Sequence, residues 1–237
     1  MSSHFNIKQR YDLQAIKTMS TEGAFALTKA DRSAIKACRE YLETEIDSSE
    51  GTFYGINTGF GALCNIRIQS EDLVELQHNL IRSHACGAGN PISPDVTHLI
   101  LLLKIISLSQ GHSGVRVKLV ERLIELYNHR ILPVIYEQGS LGASGDLAPL
   151  AHLGLVLIGE GDVIYEDRRQ PAREVFHRLG LQPIELQSKE GLAVLNGTQF
   201  STAHALYGCL RFQRLIEFAH VTAALSMEAF NCSPAPF

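Results

Sequence analysis

Apolar residues recur at helical spacing along most of the chain. One such stretch predicts an amphipathic helix over 31–47, with apolar positions at Ile35, Cys38, Leu42 and Ile46. Similar patterns, bounded by glycine, proline or capping serine and aspartate, predict further helices. These lie at about 70–83, 93–109, 115–129, 149–158 and 170–180.

The stretch 197–230 keeps the helical pattern without an internal proline. It exceeds the length of most globular helices, which predicts a bundle helix or a subunit-interface helix. Strand signals are few, with short strands predicted at 24–27 and 163–166. Residues 49–62 and 133–145 are expected to be irregular. The predicted fold class is therefore mainly α with minor β.

Charge and composition narrow the classes of function. The 237 residues are 45% hydrophobic and carry a formal net charge of −4. A sizeable core is expected, whereas binding to nucleic acid or to a membrane surface is disfavoured. Apolar runs such as 99–103 are too short to span a bilayer, and residues 1–6 lack the apolar region of a signal peptide. The protein is expected in the cytoplasm.

Cysteine and histidine spacing gives no sign of a disulfide framework or a metal site. The five cysteines are scattered and form no Cys-x-x-Cys, so they are expected to be reduced and mostly buried. The ten histidines show no metal-binding spacing, so no metal is expected.

One loop carries the most distinctive chemistry of the sequence. Within residues 139–150 lies the tripeptide Ala143-Ser144-Gly145. The amide nitrogen of Gly145 can attack the carbonyl carbon of Ala143 with loss of water. Ser144 can then lose its hydroxyl as a second water. The product is a five-membered imidazolone with an exocyclic methylene, an electrophile that no unmodified side chain matches. Glycine suits this step because it lacks a Cβ and tolerates unusual backbone angles.

Two other interpretations of this loop stay open. It fits a plain loop in which Ser144 or Asp146 caps the following helix. Its Gly-x-x-Gly-x-x-Gly spacing also fits a phosphate-binding loop, although less well because it has no lysine.

Four segments together resemble the aromatic amino acid ammonia-lyases and the related aminomutases. The run GSLGASGDLAPLA at 139–151 resembles the signature of that family, in which Ala-Ser-Gly becomes 4-methylideneimidazol-5-one (MIO). The run YGINTGFG at 54–61 resembles the loop of the catalytic tyrosine. Residues 79–84 resemble the substrate-selectivity segment, and 190–198 the segment whose asparagine contacts the prosthetic group. The segments follow the family's order, and the resemblance covers essentially the whole chain.

The resemblance implies a role for further residues. Tyr54 would be the base that removes the β-proton of the substrate, and Asn196 would bind the prosthetic ring or the substrate amine. Ser83 and His84 would select the substrate, because this pair matches the histidine-specific members. Taken alone, these residues also fit a half-buried loop tyrosine, a helix-capping asparagine and a histidine beside unpaired helix-end carbonyls.

The reaction implied by the resemblance is elimination of ammonia from L-histidine to give trans-urocanate, a step of histidine catabolism. It would proceed through MIO formed from Ala143-Ser144-Gly145, without a metal. A tyrosine or phenylalanine ammonia-lyase, or an aminomutase, is the alternative within the family. A catalytically inactive N-terminal fragment that only folds and self-associates is the alternative from another class.

Complete family members are considerably longer, so the chain is expected to be the N-terminal part of the family's helical-bundle fold. Residues 1–196 would then form a domain with the tyrosine loop and the MIO loop, and 197–237 would begin the central bundle. The resemblance implies a homotetramer that acts on an amino acid, with neither nucleic acid nor membrane as partner. If the cyclising strain needs the rest of such a protein, the tripeptide is expected to stay linear or only partly cyclised.

Overall fold

Helices make up most of the chain. The computed structural model describes residues 10–49, 51–59, 67–69, 72–233 and 235. Within them the helices are α1 (Leu13–Glu22), α2 (Lys29–Ser48), α3 (Leu73–His84), α4 (Pro94–Ser109), α5 (Val117–Asn128), α6 (Leu147–Leu157), α7 (Ala172–Leu179), α8 (Glu190–Leu195) and α9 (Gln199–Ala229). The strands there are β1 (Ala88–Pro91), β2 (Leu132–Pro133), β3 (Tyr136–Gln138), β4 (Asp162–Tyr165) and β5 (Arg168–Pro171).

The mainly helical prediction is confirmed, and the six shorter predicted helices correspond to α2 through α7. Helix starts follow the sequence signals. A capping box between Thr28 and Asp31 begins α2, and the Ser93 side chain caps α4. Ser70 and Glu71, at the predicted start of α3, lie outside the described residues. The pattern missed α1 and α8, which are both short.

The strands form two small antiparallel sheets. The strand predicted at 163–166 is confirmed as β4, which pairs with β2 and β5. β1 pairs with β3, so residues 133–145 are less irregular than predicted. The strand predicted at 24–27 is wrong. The Asn128 side chain instead accepts from the Phe25 N–H (2.8 Å) and donates to the Phe25 carbonyl (2.9 Å), as a neighbouring strand would have done.

The α4 helix is the centre of the hydrophobic core. It is apolar on nearly every side and packs against α1, α2, α5 and α9. Burial on all sides follows, because a helix without a polar face cannot rest at the surface. Its fully buried apolar side chains include Ile100, Leu101, Leu102 and Ile105.

A second group of helices, α3, α6 and α8, packs together beside this core. The approach of α6 to α3 depends on Gly154, where an added Cβ would lie 2.5 Å from Cδ1 of the buried Ile81. The packing also sets the chain after α3 against α6, where the Gly87 N–H donates to Nε2 of His152 (3.0 Å).

The predicted long helix is α9, and most of its surface is exposed. Ala203 alone is fully buried within this helix, which is described throughout. Its exposed large apolar side chains are Phe212, Leu215, Ile216, Phe218, Val221 and Leu225. No helix in the described ranges combines the length and apolarity needed to cross a membrane.

The prediction of mostly buried cysteines is wrong for those that the structure describes. Cys38 is half-buried, while Cys86, Cys209 and Cys232 are exposed. Cys209 is exposed because it lies on α9, which the other described elements leave largely uncovered. Cys64 lies outside the described residues.

A matched pair of glycine substitutions tests the α3–α6 contact. Gly208→Ala in α9 meets no atom within 4 Å, so it should raise the free energy of unfolding by about 0.5–1 kcal/mol through helix propensity. Gly154→Ala gains the same propensity but crowds Ile81, so it should lower that free energy by about 1–3 kcal/mol. Urea titration of both variants measures the sign of each change in the free energy of unfolding. Equal stabilisation by both would contradict the close α3–α6 packing.

Candidate active site

The Ala143-Ser144-Gly145 loop connects β3 to the start of α6. Ala143 and Ser144 are exposed, so neither side chain is committed to packing. Gly145 has a φ of +103°, a conformation that L residues rarely adopt. The loop therefore meets two needs of cyclisation: a residue without a Cβ at position 145, and side chains at 143 and 144 that have no packing role.

Gly145 also lies directly against the chain that follows α8. A Cβ at this position would be 2.8 Å from the Gly197 carbonyl oxygen and 3.2 Å from Oδ1 of Asn196. Glycine is therefore required by space as well as by backbone angle. The structure thus brings together the tripeptide and Asn196, two features separated by fifty residues of sequence.

Asp146 fixes this contact. Its backbone N–H donates to the Gly197 carbonyl (2.7 Å). Its fully buried carboxylate accepts from the hydroxyls of Ser140 (2.8 Å) and Ser201 (2.6 Å), and from the Ser201 N–H (2.9 Å). Asp146 is the N-cap residue of α6, as the plain-loop interpretation expected, but its carboxylate makes no capping bond to that helix. It instead joins the start of the loop to the first turn of α9.

The short helix α8 carries Asn196 at its end, and two buried side chains anchor its start. The carboxylate of Glu190 accepts from the Arg116 guanidinium (2.7 Å) and from the Gln187 N–H (2.9 Å). Oε1 of Gln77, on α3, accepts from the Gly191 N–H (2.9 Å). The Gln77 bond satisfies an N–H group that a helix start leaves unpaired, and the Glu190 bonds tie the same turn to Arg116 and Gln187. The position of Asn196 is therefore set from both α3 and the segment before α5.

The end of α8 is held from α4. Nζ of Lys104 donates to the carbonyls of Ala193 (3.2 Å) and Asn196 (2.9 Å). Lys104 is only 1% exposed, and this burial lowers its pKa to about 7. The nearby Asp146 carboxylate acts in the opposite direction and partly offsets the effect of burial on that pKa.

Ser83 and His84 form the last residues of α3. Nδ1 of His84 lies 2.9 Å from the Leu80 carbonyl oxygen, and the Ser83 hydroxyl donates to the same carbonyl (3.1 Å). Nδ1 also lies 3.1 Å from the Ser83 hydroxyl, so it donates to the carbonyl in one tautomer and accepts from the hydroxyl in the other. The Nδ1 edge of the ring therefore faces the end of α3, and Nε2 lies on the opposite edge.

A contact between two glycines brings the chain that follows α3 close to the start of the tripeptide loop. Gly139, at the start of the loop, would place a Cβ 3.2 Å from the Gly87 Cα. Gly87 in turn is held by His152, whose pKa is lowered by burial, so that its ring stays a neutral acceptor. The chain that follows Ser83-His84 and the start of the tripeptide loop are thus neighbours.

Tyr54 lies in a turn that is stabilised locally. The Thr58 hydroxyl accepts from the Gly55 N–H (3.1 Å), and Oδ1 of Asn57 accepts from the Phe53 N–H (2.6 Å). The Tyr54 side chain is 61% exposed, so it is open to solvent rather than enclosed. Phe60 and Gly61, the end of this motif, lie outside the described residues.

Sequence reasoning missed the role of Lys104. A single lysine inside the apolar run LILLLKIISL of α4 was the available signal, because a charge on a core helix needs a buried partner. Across the described ranges, no group of three histidine, cysteine, aspartate or glutamate side chains is arranged to hold a metal ion.

Comparison with known proteins identifies the family. A profile of the family described as "Aromatic amino acid lyase" matches residues 11–237. The chain is 45% identical to histidine ammonia-lyase of Legionella pneumophila (strain Corby), over all of this chain and 47% of that protein. It is 46% identical to the enzyme of the same name from Staphylococcus saprophyticus, over 91% of this chain and 43% of that protein.

Comparison with solved structures gives the same family. Histidine ammonia-lyase from Trypanosoma cruzi superposes with a TM-score of 0.85 at 34% identity, over 94% of this chain and 43% of the other. Phenylalanine aminomutase from Pantoea agglomerans gives a TM-score of 0.88 at 30% identity, over 96% and 44%. The chain spans about half the length of the curated relatives it matches. By profile, sequence and fold, the chain belongs to the aromatic amino acid lyase family.

Proposed function

We propose that this chain provides the electrophile-forming part of a histidine ammonia-lyase, which converts L-histidine into trans-urocanate and ammonia. The observation that carries the proposal is the contact of Gly145 with Asn196 and Gly197, fixed by Asp146. It supports cyclisation of the tripeptide to MIO, because it leaves Ala143 and Ser144 unpacked and holds Gly145 in an unusual conformation. All of these contacts come from within this chain.

When formed, the MIO group supplies an electrophile that accepts electrons from the substrate amine and makes its nitrogen a better leaving group. We assign to Tyr54 the transfer of the β-proton to its phenolic oxygen, as the carbon–nitrogen bond breaks and ammonia leaves. Asn196 would orient the reacting groups through its side-chain amide, whose Oδ1 already faces Gly145.

We assign substrate selection to Ser83 and His84. In the tautomer that carries its proton on Nδ1, Nε2 of His84 would accept a hydrogen bond from the imidazole N–H of histidine. The names of the relatives at 45–46% identity support histidine. The aminomutase among the structural neighbours keeps tyrosine or phenylalanine as the second candidate.

We further propose that the chain works in a homotetramer, with 197–237 as the start of a central bundle and 1–196 as the domain that carries the site. Support comes from α9, whose large exposed apolar side chains are of the kind that subunit interfaces cover. The cytoplasm suits an enzyme with scattered, unpaired cysteines.

Intact mass tests the prosthetic group directly. The contacts that hold Gly145 lie within this chain, so we expect complete cyclisation here, in place of the linear or partly cyclised tripeptide expected from the sequence. The chain should therefore be lighter than its sequence mass by two waters, whereas Ser144→Ala cannot lose the second water. The control is Ser226→Ala, which changes an exposed serine of α9. It should lose two waters, as the parent chain does. A parent chain at full sequence mass would contradict cyclisation and favour the inactive alternative.

Tyr54→Phe tests the base. In the tetrameric enzyme it should keep the loss of two waters but reduce turnover by roughly 10²–10⁴-fold, because it lacks the phenolic oxygen. Tyr41→Phe, another exposed tyrosine, should leave turnover unchanged. Urocanate formation is followed by its ultraviolet absorbance. Near-normal turnover in Tyr54→Phe would remove Tyr54 from the mechanism.

The double variant Ser83→His with His84→Leu tests specificity. It should weaken turnover of histidine and favour tyrosine, because a site built around a polar group discriminates strongly against substrates that leave it unpaired. Competition between the two amino acids measures the ratio of kcat/KM. An unchanged ratio would place the specificity determinants elsewhere.

A further inference from the structure

Lys104 is a lysine buried in the apolar core. It projects from α4, an apolar helix at the centre of the core, and its side chain is 1% exposed. Burying an ammonium group is costly, and a methionine of similar length would fill the same space without that cost. The residue is therefore better explained by what Nζ contacts than by packing.

What Nζ contacts is the end of α8. Helix-end carbonyls lack partners within the helix, and here Nζ donates to two of them, on Ala193 and on Asn196. The second bond, at 2.9 Å, fixes the direction of the Asn196 carbonyl. It therefore fixes the peptide plane between Asn196 and Gly197.

That peptide plane is the surface on which the tripeptide loop rests. Its Gly197 nitrogen and the adjoining Gly197 carbonyl lie 2.9 and 2.8 Å from where a Gly145 Cβ would be. The same Gly197 carbonyl accepts the Asp146 N–H at 2.7 Å. A rotation of the plane would move the Gly197 nitrogen, which lies against Gly145.

We propose that Lys104 is a positioning residue for the Ala143-Ser144-Gly145 loop, acting through the Asn196–Gly197 backbone. The hydrogen bonds of Lys104 go to the end of α8 rather than to the tripeptide. It holds the surface that keeps Gly145 in its cyclising conformation and that aims the Asn196 amide at the loop. The expected effect of Lys104 on cyclisation rests on the proposed function. Its effect on the position of the loop rests on the contacts alone.

The competing explanation is that Lys104 contributes only to stability. Arg122 provides a matched control, because it is also a buried cation that donates to a backbone carbonyl, that of Gln182. Its other partners are Glu125 and the Phe176 ring, so they belong to α5 and α7 rather than to the loop. Arg122→Met should therefore cost stability without moving the loop.

The experiment compares Lys104→Met, Lys104→Gln and Arg122→Met with the parent chain by two measurements. Amide hydrogen exchange reports the Asp146 N–H, and intact mass reports the rate at which two waters are lost. In Lys104→Met, exchange at Asp146 should rise at least about tenfold more than in Arg122→Met. Cyclisation should slow by roughly ten- to a hundredfold, as expected for a small misplacement of reacting groups. Lys104→Gln keeps N–H donors, so it should restore part of the exchange protection at Asp146 and part of the cyclisation rate.

Each outcome bears on one proposal. Equal effects of Lys104→Met and Arg122→Met on Asp146 exchange would overturn the positioning role. So would normal cyclisation in Lys104→Met. If Lys104→Met fails to fold, Lys104→Gln takes its place in the comparison. Equal exchange of the Asp146 N–H in Lys104→Gln and Arg122→Met would then overturn the positioning role. A parent chain that loses no water would overturn the proposed function instead, and Asp146 exchange would then decide the role of Lys104 by itself.

Discussion

The structure depends on one close approach, that of Gly145 to the backbone of Asn196 and Gly197. No Cβ fits between them, and a 2.7 Å hydrogen bond from Asp146 to the Gly197 carbonyl holds them together. The contact joins the loop before α6 to the connection between α8 and α9. Every other part of the site is arranged so that these two segments meet.

The approach is maintained by buried polar groups, and each of these is expensive unless it is paired. Asp146 and Glu190 are fully buried carboxylates, and Lys104 is a buried amine. The pairing is close to complete: serine hydroxyls for Asp146, the Arg116 guanidinium for Glu190, and two carbonyls for Lys104. A hydrophobic core of this size could have been built without them, so they are better explained by the position they impose on the loop than by stability.

The remainder of the fold supports the same arrangement. The apolar α4 helix carries Lys104 from the core to the end of α8, and the glycine contact between α3 and α6 places the Ser83-His84 segment beside the loop. α9 differs from these elements, since its first turn is tied to Asp146 through Ser201 while its later turns expose apolar side chains. The helix therefore links the site to the surface proposed for assembly.

The sequence by itself determined seven of the nine helices in the described residues, because apolar periodicity and capping residues such as Thr28 and Ser93 act over only a few neighbouring positions. It also determined the candidate chemistry, because Ala143-Ser144-Gly145 contains the atoms of its own cyclisation. The strand at 24–27 failed as a prediction because its backbone partner is the side chain of Asn128, more than a hundred residues away. Only the tertiary structure decided that Gly145 rests on Asn196, that the Asp146 carboxylate joins the loop to the first turn of α9, and that Lys104 reaches α8. These contacts join residues far apart in sequence, and hydrogen bonds between distant segments leave no periodic pattern along the chain.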